Sequence, residues 1–225
     1  MSSIISTKKL SRDFKTGVEV VHAVKDVTLD IAEGKLTILR GRSGSGKTTL
    51  INLLGAMDMP SNGEIYFNDK DITKMSQNQR DELRRKNIGF VFQSGALISN
   101  MTAYENVEFG LRIAGYDRKE RGKRADECLE LVGLSKRKMH YPYEMSGGEC
   151  QRVAIARAIA HMPKVIFADE PTAALDTNMG LQVVKAFKDL VEQQGLTVVM
   201  TTHDPSMMEI ADTVYTLQDG EVVNE

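Results

Sequence analysis

The stretch LTILRGRSGSGKTTLINLL, residues 36–54, decides the fold. It begins with a short apolar run typical of a buried strand and ends in an apolar helix pattern. Between them, residues 41–48 fit the spacing G-x-x-x-x-G-K-[ST], in which a glycine-rich loop joins a strand to a helix. This order predicts a site for the phosphates of a nucleotide. An ordinary glycine-rich turn is the alternative.

Each part of this loop has a physical role in binding ATP. The glycines let backbone N–H groups surround the β-phosphate, and the helix start adds partial positive charge. We expect Lys47 to bridge the β- and γ-phosphates and Thr48 to bind Mg²⁺, a hard ion that keeps several waters. The predicted nucleotide-binding residues of this loop are Gly41, Ser43, Gly44, Ser45, Gly46, Lys47, Thr48 and Thr49.

The rest of the chain alternates strands and helices. Residues 4–10 and 20–31 predict an antiparallel region at the start. Later strands are predicted at 65–67, 88–92, 164–168, 197–201 and 214–217, and helices at 47–57, 77–86, 179–194 and 205–211. Residues 94–144 show helix patterns (103–114 and 119–132) and almost no strand signal.

This alternation predicts an α/β fold. We expect a P-loop NTPase core with a parallel sheet, an N-terminal antiparallel β region and an inserted helical subdomain. Residues 1–225 form a single domain in this interpretation. Its catalytic core covers about 1–93 and 145–225, and its helical subdomain covers about 94–144.

A second candidate site is VIFADE, residues 165–170, an apolar strand that ends in two acids. We expect Asp169 to hold Mg²⁺ through a water and Glu170 to orient or deprotonate an attacking water. Many strands end in a carboxylate that caps a helix, which is the alternative for this motif alone. With the phosphate loop, the pair predicts ATP hydrolysis.

Charge and composition limit the other functions. The formal net charge is −2, whereas nucleic-acid-binding domains usually carry a basic surplus. We therefore expect no nucleic-acid partner. The chain shows neither a signal sequence nor an apolar stretch of about 18 residues, so we expect a cytoplasmic protein. Cys128 and Cys150 lack a CxxC spacing and are interpreted as ordinary thiols in a reducing compartment.

A further set of motifs resembles the ABC ATPase family. Residues 145–149, MSGGE, resemble the signature LSGGQ, and Gln93 in VFQ resembles the Q-loop. Ala174-Leu175-Asp176 resembles the D-loop, and His203 in TTHD resembles the switch histidine. All follow the family's order and cover essentially the whole chain.

The resemblance implies a head-to-tail homodimer with ATP between the phosphate loop of one copy and the signature of the other. It implies that His203 contacts the γ-phosphate and fixes Glu170, that Gln93 is a Mg²⁺ ligand, and that Phe14 stacks on adenine. A hairpin aromatic that only packs is the alternative for Phe14. The nucleotide-binding residues implied in this way are Phe14, Gln93, Ser146, Gly147, Gly148, Glu149 and Asp176.

The signature also has a simpler interpretation, and it departs from the common form. Ser146 and Glu149 fit a capping box at a helix start, which is compatible with γ-phosphate binding but does not explain the paired glycines. Met145 replaces the usual Leu, a volume-conserving change, and Glu149 replaces Gln. Arg42 is unusual inside a phosphate loop. No predicted catalytic group is lost, so we expect an active ATPase.

Within the family, the chain most resembles the LolD-, MacB- and FtsE-like branch. The stretches that carry this resemblance are GRSGSGKTTLINLLGAMDMPSNGEI (residues 41–65), RRKNIGFVFQ (84–93), MTAYENVEFGL (101–111) and MSGGECQRVAIARAI (145–159). This implies a peripheral ATPase on the inner face of the cell membrane, bound to a permease with a large extracytoplasmic domain. The expected function is to drive lipoprotein release or macrolide or peptide efflux. The alternative is FtsE-like signalling to cell-wall hydrolases without transport. Residues 94–110 either seat the permease or form subdomain core.

Overall fold

The computed structural model describes residues 2–173 and 175–223, apart from the side chains of residues 205 and 206. The strands are β1 (Ser3–Thr16), β2 (Glu19–Val27), β3 (Asp30–Ala32), β4 (Leu36–Arg40), β5 (Asn62–Phe67), β6 (Lys70–Asp71), β7 (Ile88–Val91), β8 (Val165–Ala168), β9 (Thr197–Thr202), β10 (Thr213–Gln218) and β11 (Glu221–Val223). The α-helices are α1 (Lys47–Leu54), α2 (Gln77–Asn87), α3 (Ala103–Ile113), α4 (Arg121–Leu131), α5 (Gly147–Ile159) and α6 (Thr177–Gln194).

The strands form two sheets. One follows the order β2-β1-β5-β6 with antiparallel pairs, and β3 pairs with the start of β1. The other follows the order β11-β10-β4-β9-β8-β7, in which all pairs are parallel except the edge hairpin β10–β11. The predicted fold class, with its parallel sheet and N-terminal antiparallel region, is confirmed.

Alternate side chains of the parallel sheet enter two hydrophobic clusters. Ile166 on β8 and Val198 on β9 belong to a cluster that also includes residues of α3, α4, α5 and α6. Their neighbours Phe167 and Val199 belong to a second cluster with α1 and the antiparallel sheet. A buried parallel sheet requires cover on both faces, and the two clusters provide it.

The region 94–144 contains α3, α4 and two short 3-10 helices, Ser135–Arg137 and Pro142–Glu144, with no strand among these described residues. Val107 on α3 and Leu129 on α4 pack in the same cluster as Ile155 on α5. This segment therefore shares its hydrophobic core with the helix that follows residue 146.

Several predicted element bounds are wrong. The single strand expected at 20–31 is two strands, because the Thr7 hydroxyl accepts the Leu29 N–H and donates to the Val27 carbonyl across the break. The helix after the loop ends at Leu54 instead of 57, where the Gly55 N–H caps it. The helix expected at 205–211 is the 3-10 helix Pro205–Ile210.

Candidate active site

Four neighbouring parallel strands end at one edge of the sheet, and each leads into a predicted motif. The glycine-rich loop follows β4, His203 follows β9, Asp169 follows β8, and Gln93 lies two residues after β7. Ligands of open α/β sheets bind at the carboxyl ends of the strands. The topology therefore places these motifs, which are far apart in sequence, at the same edge.

The loop ends at a helix start that is free to bind an anion. Gly46 precedes α1 with φ 101°, and no side chain caps the helix. A Cβ at Gly46 would lie 2.3 Å from the Ala23 carbonyl oxygen, so only glycine fits between the loop and β2. The first N–H groups of an uncapped helix point outward with partial positive charge. These groups suit a phosphate.

Lys47 extends its buried side chain back along the loop. Its ammonium group donates hydrogen bonds to the carbonyl oxygens of Gly41 (2.8 Å) and Arg42 (3.1 Å). The same Nζ lies 3.5 Å from Oε1 of Glu170. The lysine charge is therefore held between the phosphate loop and the end of β8.

Glu170 is held in an unusual backbone conformation. Its φ is 43°, in the left-handed region that non-glycine residues rarely adopt. Its N–H donates to the Thr201 hydroxyl over 2.7 Å, and that hydroxyl donates to Oδ1 of Asp169 over 2.7 Å. One buried threonine on β9 thus contacts both residues of the acidic pair.

His203 is exposed but lies close to the same acid. Its Nδ1 is 3.8 Å from Oε1 of Glu170, and its side chain is 66 % exposed. Lys47 and His203 therefore approach one carboxylate oxygen from different elements. Because the imidazole is open to solvent, it can contact a ligand that enters the site.

A cleft of about 410 Å³ lies between the phosphate loop and the antiparallel sheet. Its lining residues are Val21, His22, Ala23, Lys25, Ser43, Gly44, Gly46, Lys47, Thr48, Thr49, Glu170 and Asp219. Seven of these residues were predicted from the sequence. The four residues on β2 were not predicted, and neither was Asp219. Gly41 and Ser45 line an adjacent cleft of about 420 Å³, together with Arg42 and Asp219.

Phe14 lies near this cleft but is not among the residues that line it. It pairs with Val21 across β1 and β2, and directly opposed residues share a face of the sheet. The Arg12 guanidinium lies 4.5 Å from the centre of the Phe14 ring. One face of the ring is therefore covered by a cation.

Gln93 is exposed in the loop after β7, and α5 holds the backbone around it. The Gln151 amide donates to the Phe92 carbonyl over 3.2 Å. The Arg157 guanidinium donates to the carbonyls of Gly95 and Ala96, both over 2.8 Å. The backbone on both sides of Gln93 is thus fixed to one helix.

The signature residues form the start of α5 and line neither cleft beside the phosphate loop. The Ser146 hydroxyl accepts the Glu149 N–H, and Glu149 accepts the Ser146 N–H over 2.8 Å, which completes a capping box. The backbone bond from Ser146 lowers the pKa of Glu149; burial opposes this, and Arg137 adds to the lowering. The carboxylate therefore stays ionised at the helix start.

The predicted D-loop leads into α6. Asp176 caps this helix and accepts the Met179 N–H over 3.0 Å. A Cβ at Gly148 would lie 2.0 Å from Cε of Met179, so the starts of α5 and α6 are in contact. Ala174 lies outside the described residues.

The oxygen donors at this edge suit Mg²⁺. Thr48 is exposed in the first turn of α1, Gln93 is exposed, and Asp169 is half-buried beside Thr201. Among the described residues, no cluster of three or more His, Cys, Asp or Glu side chains could hold a metal alone. A site with few protein oxygens fits an ion that retains waters and binds phosphates.

This fold and this site define a P-loop ATPase. The ABC transporter family model matches residues 24–173, and this chain belongs to that family. It is an ABC ATPase domain, which binds ATP with Mg²⁺ and hydrolyses ATP. The predicted similarity to MacB ATP-binding domains is also confirmed.

Two relatives of this chain differ in length: one is about as long as this chain, and the other is about three times as long. The uncharacterized ABC transporter ATP-binding protein MJ1508 of Methanocaldococcus jannaschii is 43% identical over 220 residues, which is 98% of each protein. The macrolide export ATP-binding/permease protein MacB 2 of Yersinia pestis is also 43% identical over 220 residues. That match covers 98% of this chain but 32% of MacB 2.

Two solved structures have similar folds. The ATP-binding cassette MJ0796, described as a dimeric post-hydrolysis state bound to ADP and Pi, has a TM-score of 0.90 and 40% identity. The match covers 98% of this chain and 97% of that one. CbiO1 of Clostridium perfringens, part of an ABC transporter complex, has a TM-score of 0.90 and 31% identity, covering 100% and 88%.

Proposed function

We propose that this ABC ATPase works as a head-to-tail homodimer and drives a permease of the lipoprotein-release or macrolide- or peptide-efflux type. The observation that carries the catalytic part is the approach of Lys47 and His203 to one oxygen of Glu170, at 3.5 and 3.8 Å. The transport part is supported by the MacB relatives, whose names join ATP-binding and permease functions.

In this proposal, Glu170 orients the attacking water and accepts its proton. The water oxygen bonds to the γ-phosphorus while the bond from that phosphorus to the β–γ bridging oxygen breaks, which leaves ADP and phosphate. Lys47 binds the β- and γ-phosphates. His203 contacts the γ-phosphate and holds Glu170 in place. The approach of Lys47 and of His203 to the Glu170 carboxylate supports these roles.

The residues that would hold Mg²⁺ are Thr48, Gln93 and, through a water, Asp169. When bound, the ion supplies positive charge for the phosphate oxygens. The nucleotide itself contacts the loop glycines, Ser43, Ser45, Lys47, Thr48 and Thr49. Phe14 stacks on adenine through the ring face that Arg12 leaves uncovered.

The signature acts in the site of the partner copy. Ser146, Gly147, Gly148 and Glu149 do not line the clefts of their own phosphate loop, but they form a helix start, which favours an anion. A two-fold dimer brings each signature to the other copy's γ-phosphate. Asp176, at the helix start that contacts Gly148, joins this interface. The dimeric state of the related cassette MJ0796 supports the dimer.

We further propose that the chain is a single domain with a catalytic core at 1–93 and 145–225 and a helical subdomain at 94–144. A groove of about 540 Å³ lies where α2, β7, α3 and α5 meet, lined mainly by apolar residues. Ile98, Phe109 and Ile113 line it, with Arg84 and Arg85 beside them. The proposed occupant is a cytoplasmic helix of the permease, whose apolar face would enter such a groove.

The apolar side chains of residues 94–110 fall into two groups. Val107 is fully buried in the core, and Leu97 and Tyr104 pack against that core. Ile98 and Phe109 line the groove instead. In this proposal, the core interpretation therefore applies to Val107, Leu97 and Tyr104, and the permease interpretation applies to Ile98 and Phe109.

The proposed location is the inner face of the cell membrane, where the permease holds the chain and its large extracytoplasmic domain lies on the other side. No helix within the described residues is long and apolar enough to cross a bilayer. In this proposal, the chain attaches to the membrane through the permease helix that occupies the groove.

A pull-down from native membranes tests the transport part. Tagged Glu170→Gln protein is incubated with ATP and Mg²⁺, and partners are identified by mass spectrometry. We expect a few-span permease with a large outer domain, which Ile113→Asp in the groove should fail to capture. Leu131→Asp, at a similarly exposed position on α4, is the control and should capture it. A partner that acts on cell-wall hydrolases would favour the signalling alternative, and only soluble partners would contradict the proposal.

Two variants test the catalytic part. Glu170→Gln should bind ATP, hydrolyse it very slowly and accumulate as a dimer on size exclusion. Lys47→Ala should lose nucleotide affinity because the phosphates lose their buried cation. Wild-type turnover by Glu170→Gln would contradict the proposed role of Glu170 in activating water. Unchanged ATP binding by Lys47→Ala would contradict the proposed role of Lys47 in binding the phosphates.

A further inference from the structure

The Thr201 side chain is fully buried between the ends of two strands. Strands β8 and β9 pair in parallel with Ala168 opposite Met200. Asp169 and Thr201 are the residues that follow this last pair, so they lie side by side where the pairing of β8 and β9 ends. The Thr201 hydroxyl then accepts the Glu170 N–H and donates to the Asp169 carboxylate, both over 2.7 Å.

The direction of these bonds follows from chemistry. A backbone N–H can only donate, and an ionised carboxylate can only accept. A threonine hydroxyl offers one O–H and two lone pairs, so it can serve both groups at once. A bond to a charged acceptor is stronger than a neutral one, and both distances lie within the normal hydrogen-bond range.

We propose that Thr201 is a positioning residue that fixes the acidic pair in its working geometry. Glu170 has φ 43°, a conformation that costs free energy unless its surroundings hold it. The Glu170 N–H donates its hydrogen bond to the Thr201 hydroxyl. This bond therefore helps to hold the strained backbone of Glu170 in place. The same hydroxyl orients Asp169, so one side chain sets the direction of the catalytic carboxylate and of the proposed Mg²⁺ ligand together. This inference rests on the roles proposed above for Asp169 and Glu170.

The chain offers a matched control on the same strand. Thr197, at the other end of β9, is also fully buried, and its hydroxyl accepts a backbone N–H, that of Gly34, over 2.9 Å. Thr197→Val and Thr201→Val therefore each remove a hydrogen bond that a buried hydroxyl on β9 accepts from a backbone N–H, and Thr201→Val also removes the bond donated to Asp169. They differ in their distance from the acidic pair. A purely structural role for Thr201 predicts similar effects of both changes on turnover.

The experiment measures steady-state ATP hydrolysis against ATP and against Mg²⁺, with folding checked by circular dichroism. Thr201→Val should lower kcat by about 10- to 100-fold, because a small misplacement of a catalytic group has an effect of that size. Its KM for ATP should stay within about twofold, since Lys47 and the loop are intact. The half-saturating Mg²⁺ concentration should rise about tenfold, as when a metal ligand loses its orienting partner.

Thr201→Ser keeps the hydroxyl and should restore kcat and the Mg²⁺ midpoint to near wild type. Thr197→Val should leave both unchanged. If Thr201→Val does not fold, Thr201→Cys replaces it, because a thiol has similar size but is a much weaker donor and acceptor. Equal kcat and Mg²⁺ midpoints for the changes at 197 and 201, or no rescue by serine, would overturn the proposal.

A double variant separates this inference from the proposed function. At saturating Mg²⁺, where the effect through Asp169 is suppressed, Thr201→Val should lower kcat little further in the Glu170→Gln background if Thr201 acts through Glu170, because the two changes then remove one shared effect. A full additional loss in the double variant would overturn the positioning role. Wild-type turnover by Glu170→Gln alone would instead overturn the catalytic assignment on which it rests.

Discussion

The side-chain amide of Gln151 donates a hydrogen bond to the carbonyl oxygen of Phe92, the residue before Gln93. Gln151 lies on α5, five residues after the signature serine that caps this helix. Arg157, further along α5, donates to the carbonyls of Gly95 and Ala96. One helix therefore connects the signature with the backbone of the Gln93 loop and with the apolar groove, which Arg157 also lines.

Arg157→Met should loosen the Gln93 loop. The change removes two hydrogen bonds to the loop carbonyls while keeping most of the apolar stem, which packs closely against Gly110. Hydrogen exchange followed by mass spectrometry should show faster exchange of backbone amides in residues 93–98, because local opening costs less free energy.

The control for this measurement is Arg124→Met. Arg124 also donates to backbone carbonyls, those of Ala160 and Ile159, but at the far end of α5. Its loss should leave exchange in residues 93–98 unchanged. Equal exchange rates in this segment for the wild type and Arg157→Met would show that Arg157 does not hold the loop.

Alanine at two loop glycines should have different effects. Gly44 has φ 81°, and a Cβ at this position would meet no other atom within 4 Å. Gly44→Ala should therefore cost about 1 kcal/mol of stability through backbone strain alone. Gly46→Ala adds a Cβ that would lie 2.3 Å from the Ala23 carbonyl oxygen. It should cost at least about 2 kcal/mol and displace β2 or the loop.

Urea denaturation of the two alanine variants measures these free energies, and a fluorescent ATP analogue measures nucleotide binding. We expect weaker binding for Gly46→Ala than for Gly44→Ala, since the cleft lies between the loop and β2. Equal stability of the two variants would contradict the close approach of Gly46 to Ala23.

The capping box at the signature predicts a difference between two changes at Glu149. Glu149→Ala removes the acceptor for the Ser146 N–H and the ion pair with Arg137. It should lower the free energy of unfolding by about 1 kcal/mol. Glu149→Gln keeps an acceptor oxygen and should lose less stability. The melting temperature should therefore be highest for the wild type, lower for Glu149→Gln and lowest for Glu149→Ala. Equal melting temperatures for the alanine variant and the wild type would show that the box adds no stability.

The sequence predicted those parts of the site that depend on neighbouring residues. The capping box needs only Ser146 and Glu149 three positions apart, and the anion site needs only a loop followed by a helix. The acidic pair follows directly from an apolar strand that ends at Ala168. In each case the chemistry lies within a few residues, so the pattern is visible along the chain.

The site residues that the sequence did not predict are brought to the site by packing between distant parts of the chain. His22 and Lys25 line the cleft because β2 passes the loop at Gly46, more than 20 positions away in sequence. Thr201 and Thr202 look equivalent in the sequence, and only the register of β8 and β9 places the first beside Asp169. The break in the strand predicted at 20–31 likewise depends on Thr7, from another strand.

The cysteines should react slowly while the protein is folded. Burial raises the pKa of Cys128 to about 11, and burial also raises the pKa of the half-buried Cys150. Because the thiolate is the reactive form, Ellman's reagent at pH 8 should label Cys128 only after unfolding and Cys150 slowly. Guanidinium should expose both thiols at once. Rapid labelling of two thiols in the folded protein would contradict this packing.

Asp212 should make stability depend on pH in the acid range. Burial raises the pKa of Asp212, but the hydrogen bond from the Leu36 N–H and the charges of Lys188 and Lys35 outweigh it, so the net pKa is lowered. A lowered folded-state pKa contributes stability that is present above the ordinary value of 3.8 and is lost as the pH falls through the folded-state pKa.

Asp212→Asn should therefore cost about 1 kcal/mol in the free energy of unfolding at pH 7. This difference from the wild type should begin to shrink as the pH falls below about 3.8, where Asp212 of the unfolded chain becomes protonated, and should be lost as the pH passes the lower folded-state pKa. Urea denaturation of both proteins from pH 7 to pH 3 measures it. Glu130→Gln, at an exposed position on α4, is the charge-matched control and should show a difference near zero throughout. A difference for Asp212→Asn that is constant with pH would show that its ionisation is not coupled to folding.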